Sequence, residues 1–300
     1  MDTEFERRVR SAVFDYLELA ADPDGVVTWQ QLRSFRVRNE SVLLVGSGNG
    51  IFKPRQLDLP ISILTAPPKD GRQPPYEDEV SSDEFLLYRY RGTDPQQWEN
   101  VRLRRLMQEG LPLVYLHGID VGRYLASAAM LVDDDPAGLT FMAVLADLDT
   151  ARSGIDIGDL NDRERAYQIR LARQRLHQTS FRERVLKAYK KSCALCRLRH
   201  PELLDAAHII RDAHGGRPIV PNGLALCKIH HAAYDSNIIG IRPDLVTEVR
   251  GDVLEESDGP MLAHGLQEFH RAEIWTPRSA NSAPDPAGLE ERYAEFRAAS

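Results

Sequence analysis

Cysteine is scarce in this chain, with three in 300 residues. Three thiols cannot all pair with one another, so a disulfide-stapled secreted scaffold does not suit the sequence. Long apolar runs are also missing. None approaches the roughly 20 residues that a membrane-spanning helix needs. The N-terminus is charged (Glu4, Glu6, Arg7, Arg8) and lacks the apolar core of a secretory signal. The expectation is a reducing, cytoplasmic setting with no membrane partner, in which thiolates are available as metal ligands. Proline and glycine are absent from residues 161–191, where Arg, Glu, Gln and Leu dominate, and such a stretch reads as helix. A general excess of basic charge is lacking too, since the formal net charge is −7. The charge is unevenly divided, however. Residues 161–217 hold 14 Lys/Arg against 6 Asp/Glu, net +8, whereas residues 1–160 hold 17 against 26 and residues 241–300 hold 6 against 12. The cations are concentrated where phosphate neutralisation would need them.

The informative residues lie between 193 and 235. In order they are Cys193-x-x-Cys196, Asp205-Ala206-Ala207-His208, Asn222-Gly223, then Cys227-x-x-His230-His231 and Asp235. Two Cys two residues apart can hold one metal ion from a tight turn, and Cys-x-x-His can do so from a helix start. Cys193, Cys196, Cys227 and His230 are thus the expected ligands of a structural zinc. Exchanging His230 for His231 would require an unusual Cys-x-x-x-His spacing. His208 ends a short strand-like run, Asn222-Gly223 begins the return, and the segment after Cys227 reads as helix. His231 and Asp235 there lie four residues apart, on one face.

This order and spacing resemble the HNH (ββα-metal) nuclease family. The resemblance implies a hairpin followed by a helix, carrying a second, catalytic ion (Mg2+ or Mn2+) beside the structural Zn2+. His208 would be the general base that deprotonates water for attack on a phosphodiester. Asn222 would orient that imidazole or brace the loop, although in some relatives its position ligates the metal. His231 and Asp235 would be ligands of the catalytic ion. Many relatives carry Asp or His immediately before the base, where this chain has Ala207. Asp205, two positions earlier and on the same strand face, is the expected substitute. The competing reading is a non-catalytic, zinc-dependent DNA- or protein-binding module.

Within the basic stretch, a break near Thr179-Ser180 is expected, with Ser180 capping a helix that starts at Phe181. Phe181, Val185, Leu186 and Tyr189 form its apolar stripe. Arg182, Lys187, Lys190 and Lys191, together with Arg211, are the expected contacts to double-stranded DNA. The first half, 161–178, equally suits packing against a partner helix or a second copy. His200 and His214 read as solvated loop residues.

Upstream, residues 5–20 read as an amphipathic helix and Thr28 as the cap of a short second one. Strands are expected at 41–45, 61–65, 85–90, 112–117 and 139–145, with a helix over 98–109. Residues 49–54 approach Lys53 through a glycine, which suits either a phosphate contact or a simple turn. Leu87-Tyr88-Arg89-Tyr90-Arg91-Gly92, Asn100, Leu103-Arg104 and Pro112-Leu113-Val114-Tyr115 resemble SRA-like domains of the PUA superfamily. That resemblance implies a reader of modified cytosine which flips a base and stacks it on an aromatic side chain, against the alternative of an unrelated specificity or protein-binding domain. Tyr88, Tyr90, Tyr115 and Tyr124 are the candidates, against a plain core role for each. Residues 238–275 read as further strands and a short helix with Trp275 packed, residues 281–286 as a linker, and residues 288–296 as a final helix.

The expected whole is an α+β chain in three parts. These are a mostly-β SRA/PUA-like recognition domain (1–150), a helical basic linker (151–191), and a zinc-stapled ββα-metal (HNH) domain with a C-terminal extension (192–300). The function this implies is a metal-dependent DNA endonuclease, a restriction enzyme reading modified cytosine. One such site cuts one strand, so a double-strand break would require a homodimer or two binding events.

Overall fold

A computed structural model describes residues 3–48, 50–67, 86–148, 162–257 and 259–299. Asn49, Phe85 and the first part of the expected linker, 151–161, lie outside the described residues. No described helix is long and apolar enough to cross a membrane. The chain divides into two compact units, Met1–Thr179 and Ser180–Ser300.

Unit 1 opens with helix α1 (Thr3–Ala20), whose Val9, Val13, Phe14 and Leu17 are buried at helical spacing. Strand β1 (Val26–Thr28) leads into the short α2 (Trp29–Leu32). Thr28 caps α2 through a capping box, its hydroxyl accepting from the Gln31 amide and the Gln31 side chain accepting from the Thr28 amide. A small hairpin follows, β2 (Arg36–Val37) with β3 (Glu40–Ser41). Next come β4 (Ile51–Phe52), β5 (Ser62–Thr65), β6 (Leu86–Arg89), α3 (Trp98–Gln108), β7 (Leu113–Asp120), β8 (Arg123–Asp135) and β9 (Thr140–Ala146). The sheet order is β4-β5-β7-β8-β9-β6, with β1 also pairing with β8; β5 and β7 run parallel and the other pairs antiparallel.

Alternate residues of the long strands enter two different apolar clusters, as a pleated sheet buried on both faces requires. Val114, Leu116, Ala126 and Ala128 join the residues of α1. Leu113, Tyr115, Leu125 and Ala129 join Leu103 and Leu106 of α3. A buried ion pair anchors α1. Arg10 bonds Glu6 at 2.9 Å and donates to the carbonyls of Pro60 and Pro112, while Glu6 accepts from the amide of Asp58.

Several expectations need correction. The sheet's longest strand, β8, is missing from the sequence reading because Ala126, Ser127, Ala128 and Ala129 carry little strand propensity. They are buried between covered faces where small side chains fit. Of the expected strand at 41–45 only Ser41 is paired, in β3; Val42, Leu44 and Val45 are buried as irregular chain. Lys53 donates to the carbonyls of Pro54 and Leu57, which makes 50–54 a strand and turn rather than a phosphate cradle. Tyr88, Tyr90, Tyr115 and Tyr124 are all buried core side chains, so none is exposed for base stacking. Tyr90 instead hydrogen-bonds Asp134 and accepts from Arg104.

Helix α4 (Asp162–Ala188) continues unbroken through Thr179-Ser180. Burial of Phe181, Val185 and Leu186 along one stripe outweighs the weak tendency of Thr and Ser to interrupt a helix. In unit 2 the end of α4 leads to the hairpin β10 (Leu204–His208) and β11 (Gly223–Cys227), then α5 (Lys228–Asp235). A second hairpin, β12 (Ile239–Ile241) with β13 (Thr247–Val249), precedes α6 (Gly251–Glu255), α7 (Pro260–Gly265) and α8 (Pro286–Ala299). The core gathers Phe181, Val185 and Tyr189 with Leu204, Ile209, Leu224, Leu226 and Tyr234. Arg292 of α8 is buried over the Tyr234 ring, 4.7 Å from its centroid, and donates to the Tyr234 carbonyl and the Asn237 side chain. That contact ties the chain's last helix to α5.

Candidate metal centre and catalytic cluster

Two groups of Cys, His and Asp side chains lie around the β10–β11–α5 element. Cys193 and Cys196 come from a tight knuckle, in which the Cys193 amide donates to the Leu198 carbonyl and Arg197 adopts a left-handed φ of 63°. Cys227 ends β11 and His230 lies in the first turn of α5. Among the described residues, these four form the group of His, Cys, Asp or Glu whose ligand atoms all converge within 4.8 Å. The Cys196 and Cys227 sulfurs are 3.9 Å apart, and His230 Nδ1 lies 3.5 Å from Cys193 Sγ and 3.2 Å from Cys227 Sγ. Thiolates bound at about 2.3 Å to a tetrahedral zinc would lie about 3.8 Å from one another. The donor set therefore fits that ion.

The other ring nitrogen of His230, Nε2, is 2.8 Å from the Gly265 carbonyl, the kind of partner that fixes a ligating imidazole. Burial opposes a charge on His230, but its bonds to Cys193 and Cys227 lift its pKa to about 10. The same crowding drives Cys227 far below the usual thiol range, chiefly through hydrogen bonds with Cys193 and Cys196. Trp275 seats the knuckle as expected. Its amide donates to Ala194, its ring meets Tyr189 edge-on, and Arg197 lies 4.5 Å over it.

His231, the next residue of α5, points elsewhere. Its Nδ1 is 3.8 Å from Asp205 Oδ2 and its Nε2 is 3.3 Å from Asp235 Oδ2. The two flanking carboxylates, Asp205 first and then Asp235, raise its pKa to about 9, and both carboxylates are correspondingly lowered. The two carboxylates face opposite ring nitrogens, so these three do not close on a single point as the thiolates do. Ala207 is fully buried and offers no ligand. Asp205, two residues earlier, places a carboxylate beside His231.

His208 ends β10 in register with Gly223. Its imidazole is stacked on the Phe181 ring, with centroids 4.0 Å apart and planes 17° from parallel. Burial is the main reason that its pKa falls below the ordinary 6.5; the charges of Asp212 and Asp235 oppose the fall and that of His231 adds to it.

Asn222 is buried and makes no bond to His208. It accepts from the Ile210 amide at 2.8 Å and donates to the carbonyls of Ile210 and Arg217, each at 3.0 Å. Of the two roles expected for it, the geometry supports bracing the loop. Gly216 lets that loop close, since a Cβ there would come within 1.8 Å of the Ile210 carbonyl.

Arg182, expected to meet DNA, is committed inside the protein. It donates to the carbonyls of Pro201 and Leu204 and lies 3.4 Å from Asp205 Oδ1. Arg211 is exposed and donates to the Asp235 carbonyl at the end of α5. Lys187, Lys190 and Lys191 are exposed, as are His200 and His214. The stacking of Phe181 and the anchoring by Arg182 are what the sequence reading missed. No periodic signal marks them, because each depends on a contact more than 20 residues away.

Residues 193–242 match the family model described as HNH endonuclease. Two solved structures are also similar. A modification-dependent TagI restriction endonuclease is 16% identical with a TM-score of 0.30, covering 79% of this chain and 81% of its own. The type IV phosphorothioation-dependent restriction endonuclease ScoMcrA is 15% identical with a TM-score of 0.22, covering 70% of this chain and 56% of its own. No curated protein sequence matches.

Proposed function

We propose that the HNH endonuclease segment makes unit 2 a metal-dependent nuclease that hydrolyses phosphodiester bonds in double-stranded DNA. The observation that carries this reading is that the strand ending in His208 sets Asp205 beside one ring nitrogen of His231, with Asp235 at the other, inside the matched segment. Of the expected ligands Asp205, His231 and Asp235, the imidazole and the carboxylate facing its metal-bound nitrogen would hold the catalytic ion. An imidazole offers one nitrogen to an ion, so the carboxylate at the other nitrogen accepts its N–H and fixes the ring. A bound Mg2+ or Mn2+ would supply Lewis-acid stabilisation of charge on the phosphate and the leaving oxygen.

His208 acts as the base. Its lowered pKa keeps the imidazole neutral near pH 7, ready to take the proton of an attacking water. Asn222 keeps the following loop closed. The zinc ligands Cys193, Cys196, Cys227 and His230 hold β11 and α5 at the angle that brings His231 towards Asp205. Lys187, Lys190, Lys191 and Arg211 offer cations to the DNA backbone.

For unit 1 the proposed role is recognition of modified cytosine in a cytoplasmic restriction system. Support comes from the sequence resemblance of the segments around Tyr88, Asn100 and Tyr115 to SRA-like domains; the rings of Tyr88, Tyr90 and Tyr115 are core and do not themselves offer the stacking face. A double-strand break would need two copies of the site, as a homodimer or in two events.

Plasmid nicking in Mg2+ or Mn2+ tests the reading. His208→Ala should lower the rate about 10²–10⁴-fold while zinc content stays at the parental level. Parental cutting by that variant, with zinc retained, would leave the non-catalytic zinc module as the better description. Matched plasmids, unmodified and carrying methylated or hydroxymethylated cytosine, test unit 1. Equal cleavage of all three would remove the modified-base role.

A further inference from the structure

The matched segment begins at Cys193, yet two residues of the preceding helix touch the proposed catalytic groups. We propose that the end of α4 belongs to the catalytic machinery, with Phe181 positioning the imidazole of His208 and Arg182 positioning the carboxylate of Asp205. The inference rests on the nuclease reading and adds to it two positioning residues from outside the hairpin and helix.

Phe181 is buried and its ring lies almost parallel to His208. Stacking covers one face of the imidazole and fixes the plane of the ring. Its nitrogens work in that plane, so the contact restrains the base without blocking proton transfer. Close approach of α4 depends on Gly223, the register partner of His208. A Cβ at that position would come within 2.4 Å of Val185 Cγ2 and 2.9 Å of Phe181 Cζ. The glycine beside Asn222 thus makes room for the aromatic platform.

Arg182 follows directly in sequence. Its Nη2 donates to Leu204 and Pro201 at 2.8 and 2.9 Å, which pins the guanidinium to the start of β10. From there its Nε holds Asp205 Oδ1 at 3.4 Å, while Oδ2 of the same carboxylate faces His231 Nδ1. One oxygen is anchored and the other is presented. Asp205 stands two residues before the position where relatives carry a ligand, and this brace orients it. Both residues act through another side chain, so they are positioning residues. Each should affect turnover or metal use rather than DNA affinity.

Phe181→Leu, Phe181→Tyr, Arg182→Gln and His208→Ala in the full chain separate the possibilities. Phe181→Leu should slow single-turnover nicking roughly 10- to 100-fold, the scale of a misaligned catalytic group. Duplex affinity in Ca2+ and zinc content should stay within about twofold of the parent, and Phe181→Tyr should restore the rate. Arg182→Gln should raise the Mn2+ concentration for half-maximal rate about tenfold, with part of the rate recovered at saturation. NMR gives a readout independent of turnover. The imidazole protons of His208 should lose their ring-current displacement in Phe181→Leu and keep it in Phe181→Tyr.

Unchanged imidazole shifts in Phe181→Leu would overturn the role of Phe181. So would losses of zinc, affinity and rate together that tyrosine does not rescue. An unaltered Mn2+ dependence in Arg182→Gln would overturn the role of Arg182. If the parent fails to nick and His208→Ala is indistinguishable from it, the nuclease reading fails. The positioning roles then fail with it, even where the imidazole shifts show the stack to be present.

Discussion

Asn222→Ala addresses how the loop after the base is held, and its magnitude can be worked from three contacts. The side chain accepts from the Ile210 amide at 2.8 Å and donates to the carbonyls of Ile210 and Arg217 at 3.0 Å. Each such bond contributes about 0.5–1.5 kcal/mol net, so the three together amount to roughly 1.5–4.5 kcal/mol. Residues 211–215 are exposed, and water can take over part of the bonding once the amide is gone. A loss of about 2–3 kcal/mol is the resulting expectation. Because about 1.4 kcal/mol is tenfold in an equilibrium, open forms of the loop should become roughly 30- to 140-fold more populated. Hydrogen–deuterium exchange of a peptide covering residues 209–217 reads this directly, with the Ile210 amide as the most sensitive site. Asn222→Asp should exchange at least as fast. It keeps an acceptor for the Ile210 amide but turns an oxygen towards two carbonyls. Parental exchange in both variants would refute the bracing role. If nicking were lost while exchange stayed parental, Asn222 would act in the chemistry itself.

Two further outcomes follow from the site. Cys193→Ser, or removal of the metal by a chelator, should release zinc and unfold unit 2, because ion binding there is part of folding; circular dichroism with zinc analysis checks this, and retained helix without zinc would refute it. The acid limb of the nicking rate should have its midpoint below 6.5, the ordinary histidine value from which burial lowers His208. The sign follows from the base being active when neutral: a lowered pKa keeps it neutral further into acid, and activity is lost as pH falls through that folded-state value. A midpoint above 6.5 in a pH–rate profile would contradict it.

How much was legible in the sequence differed between the two units. In unit 2 the cluster of Cys193, Cys196, Cys227 and His230 could be identified from x-x spacings, since a turn or helix start of that length can bring both side chains to one ion. His208, Asn222 and His231 could be placed on a hairpin and a helix for the same local reason. In unit 1 β5, β6, β7 and β9 were visible from their β-branched and aromatic residues, whereas β1, β2, β4 and, longest of all, β8 were not. The Ala-Ser-Ala-Ala centre of β8 suits a strand only because covered sheet faces lie on both sides of it. The four tyrosines look like a stacking set in the sequence, yet each ring is committed to the core.

What the sequence alone determined is the donor chemistry: three sulfurs and an imidazole at intervals that one tetrahedral ion accepts, followed by a His and an Asp one helical turn apart. What only the tertiary structure decided is where long side chains end. Arg182 looks like a phosphate contact on a basic helix, but it reaches across 23 residues to Asp205. Phe181 looks like ordinary apolar stripe, and it lies flat against His208. Ligand spacing is set by the few bonds between neighbouring residues. The destination of a guanidinium or a ring is set by how a helix packs on a strand, which no local pattern encodes.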